Sequence, residues 1–303
     1  ERELMQSFQQ ILEKFSQVLT YGGHSFTYRF LNNRWRNYSD ADCFSSEDTA
    51  DLTLFQSVRQ LDIQKDISPF RHLLSLENTR KATAEAFIRY TRPEHLDPEA
   101  LVKCYTSWEL SKEHTLLLHL KSHHEADMIG LLHLHSLSAY TQFFRGRFAK
   151  VHLCRLEENF CHLALILETP VPQRVQLSNA LLSLSLEKDT AHLVIPVLSG
   201  ELKYFLPGPV KDYYYLPKED RAIHRSIACY VDKAYRQKAT AATCYIRQEG
   251  IFLPSFDTSL QPTFRKSFDD KQLYILCDTE KLTSDPAFLR SYISSLIKEV
   301  ASV

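Results

Sequence analysis

The beginning of the chain carries a helical and then a strand-like hydrophobic pattern. Apolar residues recur at helical spacing, at Leu4, Phe8, Ile11, Leu12 and Phe15. This spacing predicts an amphipathic helix over residues 2–16. A short apolar strand over residues 17–21 ends at Gly22-Gly23, and a second helix is predicted over residues 25–36. Helix, strand, turn and helix in this order are typical of an α/β sheet.

The middle of the first half shows no alternating strand pattern. Residues 39–51 are polar and acidic and are predicted to form a loop, and the pattern that follows is dominated by helices. The clearest helix is predicted from Glu113 to Phe144, with a break near Gly130. We therefore expect the first domain to end as a helical layer.

From about residue 148 the hydrophobic period changes to two, which predicts strands. The predicted strands cover residues 151–156, 162–167, 181–186 and 192–197. They are followed by a charged helix over residues 218–239, strands near residues 242–246 and 273–277, and an amphipathic helix over residues 286–300. The change of period predicts two domains, residues 1–147 and residues 148–303, and the second is expected to be of the α+β class.

The composition excludes some classes of protein, but it does not identify what this protein binds. The 303 residues are 44% hydrophobic and carry a formal net charge of −1, so a nucleic-acid-binding surface would need local clustering of cations. No apolar run is long enough to span a membrane. The seven cysteines form no C-x-x-C pair, which predicts reduced thiols in a cytoplasmic protein. The seven glycines form no P-loop, which argues against a standard nucleotide cradle.

Cations and tyrosines coincide in one part of the second half. Residues 203–247 contain nine Lys or Arg against four Asp or Glu. Cations bind phosphates and aromatic rings stack on bases, so this segment is a candidate nucleic-acid-binding surface. Its candidate residues are Lys211, Tyr213, Tyr214, Lys218 and Arg225. A turn in the core followed by a solvated helix explains the same pattern equally well.

A second candidate site lies on the long predicted helix. His119, His123 and Asp127 are spaced by four residues, which places them on one helical face. Such a face suits a metal ion, or a carboxylate beside a histidine that acts as a general base. A solvated polar face is the commoner meaning of this spacing, and a zinc site would need more ligands than the helix supplies.

Several segments, taken in order, resemble the YprB-type ribonuclease-H-like proteins, a branch of the 3′–5′ exonucleases that use four acidic residues and two metal ions. The segment T-Y-G-G-H-S-F-T at residues 20–27 resembles the second exonuclease motif, T-Y-N-G-x-x-F-D. Residues 61–74, with Leu61-Asp62-Ile63, resemble the segment that follows it. Residues 123–128 resemble the third motif, in which Tyr or His precedes the last metal-binding Asp by four residues. Residues 211–226 and 241–254 resemble the C-terminal region of the family.

The resemblance implies a reduced ribonuclease-H-like α/β domain followed by an α+β domain. It also implies phosphodiester hydrolysis at a 3′ end, with two Mg²⁺ or Mn²⁺ ions that stabilise the attacking and leaving oxygens. Asp127 would then be a metal ligand and His123 would assist the attacking water. Tyr21 and His24, in the second motif, would contact the nucleic acid.

The chain departs from the family at the positions that carry this chemistry. Thr27 stands where the second motif has its Asp, and the D-x-E motif expected upstream of Glu1 is absent. One carboxylate of four remains, and one carboxylate cannot hold two divalent ions. His123 would then be vestigial. The sequence thus predicts a degenerate exonuclease-like protein, without a metal cofactor, that binds single-stranded or 3′-ended nucleic acid and does not cleave it.

Two other functions fit the same residues. One is an active exonuclease that takes its carboxylates from an omitted N-terminal segment or from replacements such as Asp62 or Glu125. The other is a non-catalytic module that binds an unspecified protein partner.

Overall fold

The computed structural model describes residues 1–38, 54–55, 58–93 and 96–302. The predicted loop over residues 39–51 lies outside them. The chain folds as two compact units, Glu1–Thr141 and Gln142–Val303. Their identity with the predicted domains, residues 1–147 and 148–303, stays a prediction. Within the described ranges, none of the helices has the length and hydropathy needed to cross a membrane.

The first unit begins with two helices and two strands. They are α1 (Arg2–Leu12), β1 (Gln17–Thr20), α2 (Thr27–Tyr38) and β2 (Arg59–Asp62). Strand β1 pairs with β2 in parallel, so that Thr20 lies opposite Asp62. The predictions for α1, β1 and α2 are confirmed, and so is the predominance of helices after residue 51, but strand β2 was not predicted. With only four residues and one charge at each end, β2 shows no alternation from which a strand could be predicted.

Helices make up most of the remaining described residues of this unit, whose boundary at Thr141 falls within the last helix. They are α3 (Ile63–Ile67), α4 (Lys81–Phe87), α5 (Pro98–Ser111), α6 (His114–Leu134) and α7 (Ser138–Phe144). The predicted break near Gly130 is wrong, because the helix is interrupted by a 3-10 turn at His135–Leu137 instead. Gly130 serves close packing: a Cβ atom there would lie 2.8 Å from Glu85 Oε1 and 3.1 Å from a ring carbon of Tyr90.

The second unit is built on antiparallel sheets. Its strands are β3 (Lys150–Glu157), β4 (Phe160–Ile166), β5 (Val175–Ser178), β6 (Ser183–Glu187), β7 (Thr190–Pro196), β8 (Leu198–Phe205), β9 (Tyr213–Leu216), β10 (Arg221–His224), β11 (Gln237–Lys238), β12 (Tyr245–Ser255) and β13 (Leu273–Leu276). They form sheets in the orders β3-β4-β7-β6-β5, β13-β12-β8 and β10-β9-β11. Helices α8 (Arg225–Ala228), α9 (Thr279–Ser284) and α10 (Pro286–Ser302) complete the unit.

The prediction of a charged helix over residues 218–239 is wrong. The segment holds β10, α8 and β11, and both strands pair with β9. The chain reverses between β9 and β10 at Asp220, whose φ of 48° is left-handed. The Asp220 carboxylate accepts hydrogen bonds from the hydroxyls of Tyr215 and Tyr245. These contacts between distant residues outweigh the local helical preference of the segment.

Candidate functional site

Asp62 is the hydrogen-bond centre of the turn that follows β1. Its carboxylate is 4% exposed and accepts from the backbone N–H groups of Gly22 (2.8 Å) and His24 (2.9 Å). It also caps α3 by accepting from the N–H groups of Gln64 (3.1 Å) and Lys65 (3.4 Å). Burial alone would raise the pKa of Asp62, but the backbone hydrogen bonds lower it below the ordinary value. Asp62 is therefore a saturated carboxylate that joins two parts of the chain.

The three predicted site residues of this turn have different environments. The hydroxyl of Tyr21 donates to the Thr79 carbonyl at 2.9 Å, and burial raises the pKa of this hydroxyl. His24 places Nδ1 3.3 Å from Asp62, with 38% of its side chain exposed. Thr27 is exposed at the first position of α2. The turn thus presents His24 and Thr27 to solvent, whereas the polar end of Tyr21 is bound to the backbone.

Asp127, the predicted metal ligand, is held by two cations. Its Oδ1 atom lies 2.7 Å from Lys81 Nζ and 2.9 Å from Arg92 Nη1. Lys81 also donates to the Asp127 backbone carbonyl at 3.0 Å. Burial alone would raise the pKa of Asp127, but the contacts with Lys81 and then Arg92 lower it by more. The pKa of this carboxyl is therefore below its ordinary value.

Arg92 links Asp127 to a second, more deeply buried carboxylate. Its Nη2 and Nε atoms contact the two oxygens of Glu85 at 2.7 and 2.9 Å. Glu85 is 5% exposed, and the Arg92 side chain is 11% exposed. The group of Lys81, Glu85, Arg92 and Asp127, called the paired quartet below, therefore holds two negative and two positive charges.

The donor set does not fit the two metal ions that the resemblance implies. A divalent ion on Asp127 would lie beside Lys81 and Arg92, which already compensate its charge, and Thr27 offers only a hydroxyl. Within the described residues there is no group of three or more His, Cys, Asp or Glu side chains placed to hold a metal ion. The proposed replacement Asp62 already accepts four backbone N–H groups.

His123 lies on the same helix as Asp127 but is buried. The residue is 7% exposed, and its Nδ1 atom accepts a hydrogen bond from the Leu96 N–H at 3.3 Å. His119 is exposed. The three residues predicted to share a helical face therefore differ in environment, and the Nδ1 acceptor of His123 is occupied by the backbone.

The tyrosines of β9 do not form one stacking surface. Successive side chains of a strand point to opposite faces, so Tyr213 and Tyr214 are separated by the sheet. The Tyr213 hydroxyl donates to the Pro207 carbonyl at 3.0 Å, and its ring meets His224 edge-on at 5.6 Å. The Tyr214 ring lies under the Arg236 guanidinium at 5.0 Å.

The cations of the same region fall into two groups. Arg225 is paired with Asp212 at 3.1 Å, and Arg221 with Glu219 at 2.8 Å. No carboxylate among the described residues forms an ion pair with the other cations of residues 211–238, which are Lys211, Lys218, Lys233, Arg236 and Lys238. Lys218 lies over the ring of Tyr235 at 4.5 Å. Tyr230 and Tyr235 are 89% and 52% exposed.

We call these five unpaired cations, with Tyr230 and Tyr235, the cation–tyrosine module. Of its members, only Lys211 and Lys218 could be named from the sequence. The excess of cations over residues 203–247 indicated that this region could bind phosphates. Because residues 218–239 were wrongly predicted to form one helix, the pattern did not show which of these cations lack a carboxylate partner. The pairing of Arg225 with Asp212 likewise depends on the fold.

Comparison with known proteins identifies one part of the chain. Residues 1–138 match a family model described as the RNase_H superfamily. No curated protein and no solved structure matches the chain. The resemblance is therefore confirmed for residues 1–138 at the level of the superfamily, and the YprB type stays a prediction.

Proposed function

We propose, from the ribonuclease-H-like domain of residues 1–138, that the protein binds single-stranded nucleic acid without cleaving it and that this domain is a degenerate one of the YprB type. A domain of this superfamily suggests a function connected with nucleic acid. The observation that carries the loss of cleavage is the pairing of Asp127 with both Lys81 and Arg92.

The chemistry of phosphodiester cleavage explains why this pairing matters. Two divalent ions need several hard oxygen ligands, and carboxylates supply most of them. In the paired quartet each carboxylate is already compensated by a cation. An ion that took Asp127 would have to displace Lys81 and Arg92, and Arg92 is also the partner of the buried Glu85. Binding of the ion would thus break the contacts that stabilise this part of the domain.

The cation–tyrosine module supports the binding part of the proposal. Its five cations lack carboxylate partners within the described ranges, so phosphates can bind them without displacing another anion. The exposed rings of Tyr230 and Tyr235 offer faces on which bases stack. Arg225 and Tyr213, which the sequence suggested as direct contacts, also have partners within the chain: Arg225 forms an ion pair with Asp212, and the Tyr213 hydroxyl donates to the Pro207 carbonyl.

Removing three cations of the module is expected to weaken binding of a fluorescent single-stranded oligonucleotide. Each phosphate contact contributes about 0.7 to the slope of log affinity against log salt concentration. A triple variant with Lys211→Gln, Lys218→Gln and Lys233→Gln should therefore lower this slope by about 2 and the affinity in 0.1 M salt by about 100-fold. Fluorescence anisotropy at several salt concentrations measures both quantities.

The matched control is Lys14→Gln, Lys121→Gln and Lys150→Gln, since these three lysines are also exposed and the change in net charge is the same. The control should bind nearly as well as the original chain. Equal losses in the two triple variants would contradict a localised binding surface, and absence of any binding by the original chain would overturn the proposed function.

A further inference from the structure

Three cysteines meet in the second unit. The Cys161 thiol, on β4, is hydrogen-bonded to the thiols of Cys154 on β3 and Cys277 directly after β13. Cys154 pairs with Leu163 and Cys161 with Leu156, so the two cysteines are diagonal neighbours on one face of the sheet. The Cys277 N–H donates to the Ile251 carbonyl of β12 at 2.7 Å, which holds the Cys277 backbone beside this strand.

The three thiols differ in access and in acidity. Cys161 is fully buried, whereas Cys154 and Cys277 are half-buried. Hydrogen bonds with Cys161 lower the pKa of the Cys154 and Cys277 thiols. The same hydrogen bonds, with burial, raise the pKa of Cys161. A dissolved oxidant therefore reaches the half-buried Cys154 or Cys277 before it reaches the buried Cys161.

A buried phenol beside the cluster lacks a partner. Tyr292, on α10, is fully buried, and its hydroxyl makes no hydrogen bond. The other buried side-chain oxygens and nitrogens of the described ranges each have a hydrogen-bond partner. Burial raises the pKa of this hydroxyl, and the neighbouring Cys161 and Cys277 add to the increase. An unpaired buried donor is unfavourable. A thiolate, or an oxygen atom added to sulfur, would give this O–H group an acceptor.

We propose that Cys154, Cys161 and Cys277 form a site of reversible oxidation by a hydroperoxide, with Cys161 as the resolving thiol. With hydrogen peroxide as the oxidant, an outer thiolate attacks one peroxide oxygen, the O–O bond breaks, and a sulfenic acid and one water form once a proton is taken up. The Cys161 thiol attacks the sulfenic sulfur, the S–S bond forms, the S–O bond breaks, and a second water leaves with the Cys161 proton. Two thiols are oxidised and one hydroperoxide is reduced, and a dithiol reductant reverses the change.

Two other described cysteines provide controls. Cys229 is exposed and its thiol donates to the Ser226 carbonyl at 3.0 Å. Cys104 donates to the Leu116 carbonyl at 3.7 Å. Among the described cysteines, neither has a thiol neighbour of the kind that Cys161 has, so we expect no disulfide with another described cysteine there.

The test treats the full chain with hydrogen peroxide, alkylates the remaining thiols with a maleimide and maps the peptides without reduction. We expect loss of two alkylatable thiols, recovery of both with dithiothreitol, and one disulfide that joins Cys161 to Cys154 or Cys277. Tyr292→Phe should slow its formation, and Cys229→Ala should leave it unchanged. A disulfide that omits Cys161, or one formed only between chains through Cys229, would overturn the proposal.

Cys161→Ala supplies the second arm of the test. In this variant an outer cysteine should stop at the sulfenic acid, which dimedone labels at Cys154 or Cys277. Unlabelled outer cysteines in a folded variant would contradict the proposed order of steps. If the variant does not fold, peptide mapping of the original chain still decides whether Cys161 is in the disulfide.

Discussion

Arg92→Leu is expected to lower the free energy of unfolding of the first unit by about 3–5 kcal/mol, the usual cost of leaving a buried charge without its partner. Glu85 is 5% exposed and both of its oxygens are bound by Arg92, so the substitution leaves a buried carboxylate uncompensated. Both tryptophans of the chain, Trp35 and Trp108, lie in this unit. Urea unfolding of the full chain followed by tryptophan fluorescence therefore measures the change.

The double variant Glu85→Leu with Arg92→Leu is the control for this prediction. Replacing both charges by apolar groups removes the buried charge, so most of the lost stability should return. If the double variant is as unstable as Arg92→Leu, packing of the Arg92 side chain rather than charge compensation stabilises this site. Unchanged stability of Arg92→Leu itself would contradict the importance of the paired quartet.

Asp62→Asn is expected to destabilise the same unit by about 2–4 kcal/mol, because hydrogen bonds to a charged acceptor contribute about 1.5–3 kcal/mol each and several are weakened together. The carboxylate joins the turn at Gly22 and His24 to the start of α3. An amide has one acceptor oxygen and cannot satisfy both sides. The same tryptophan-monitored unfolding measures the loss.

The contribution of Asp62 to stability is expected to depend on pH in a definite direction. The pKa of Asp62 is lower in the folded protein than its ordinary value. Its contribution is therefore complete above the unfolded pKa, about 4, and is lost as the pH falls through the folded pKa. The original chain should lose stability below pH 4 more steeply than Asp62→Asn does. Asp97→Asn is a matched control: the side chain of this exposed N-cap accepts only the Ala100 N–H, and because Asn caps a helix about as well as Asp the stability should change little.

Long periodic patterns were sufficient to predict much of the second unit. Strands β3, β4, β6 and β7 and the helix α10 lie where the alternation and the helical spacing place them. Strand β2 and the strands of residues 213–238 could not be found in this way. They are short, and they exist because partners elsewhere in the chain complete their hydrogen bonds.

The site was predicted only in part for the same reason. The resemblance pointed to Asp127, but no local signal connects it with Lys81, which is 46 residues away. Asp62 was named only as a substitute metal ligand, because a sequence does not show which backbone N–H groups will surround a carboxylate. Likewise, Cys277 lies far along the chain from Cys154 and Cys161, so spacing gave no indication of the thiol cluster.

A degradation assay is the most direct test of the proposal that the protein binds nucleic acid without cleaving it. The full chain, in excess over a 5′-labelled single-stranded oligonucleotide, is incubated with Mn²⁺ beside Asp127→Asn prepared in the same way. We predict intact oligonucleotide in both samples, because Lys81 and Arg92 already bind the two carboxylates of the paired quartet and neither is available to hold a metal ion. Mn²⁺-dependent shortening from the 3′ end by the original chain, abolished in Asp127→Asn, would contradict this and establish an active exonuclease.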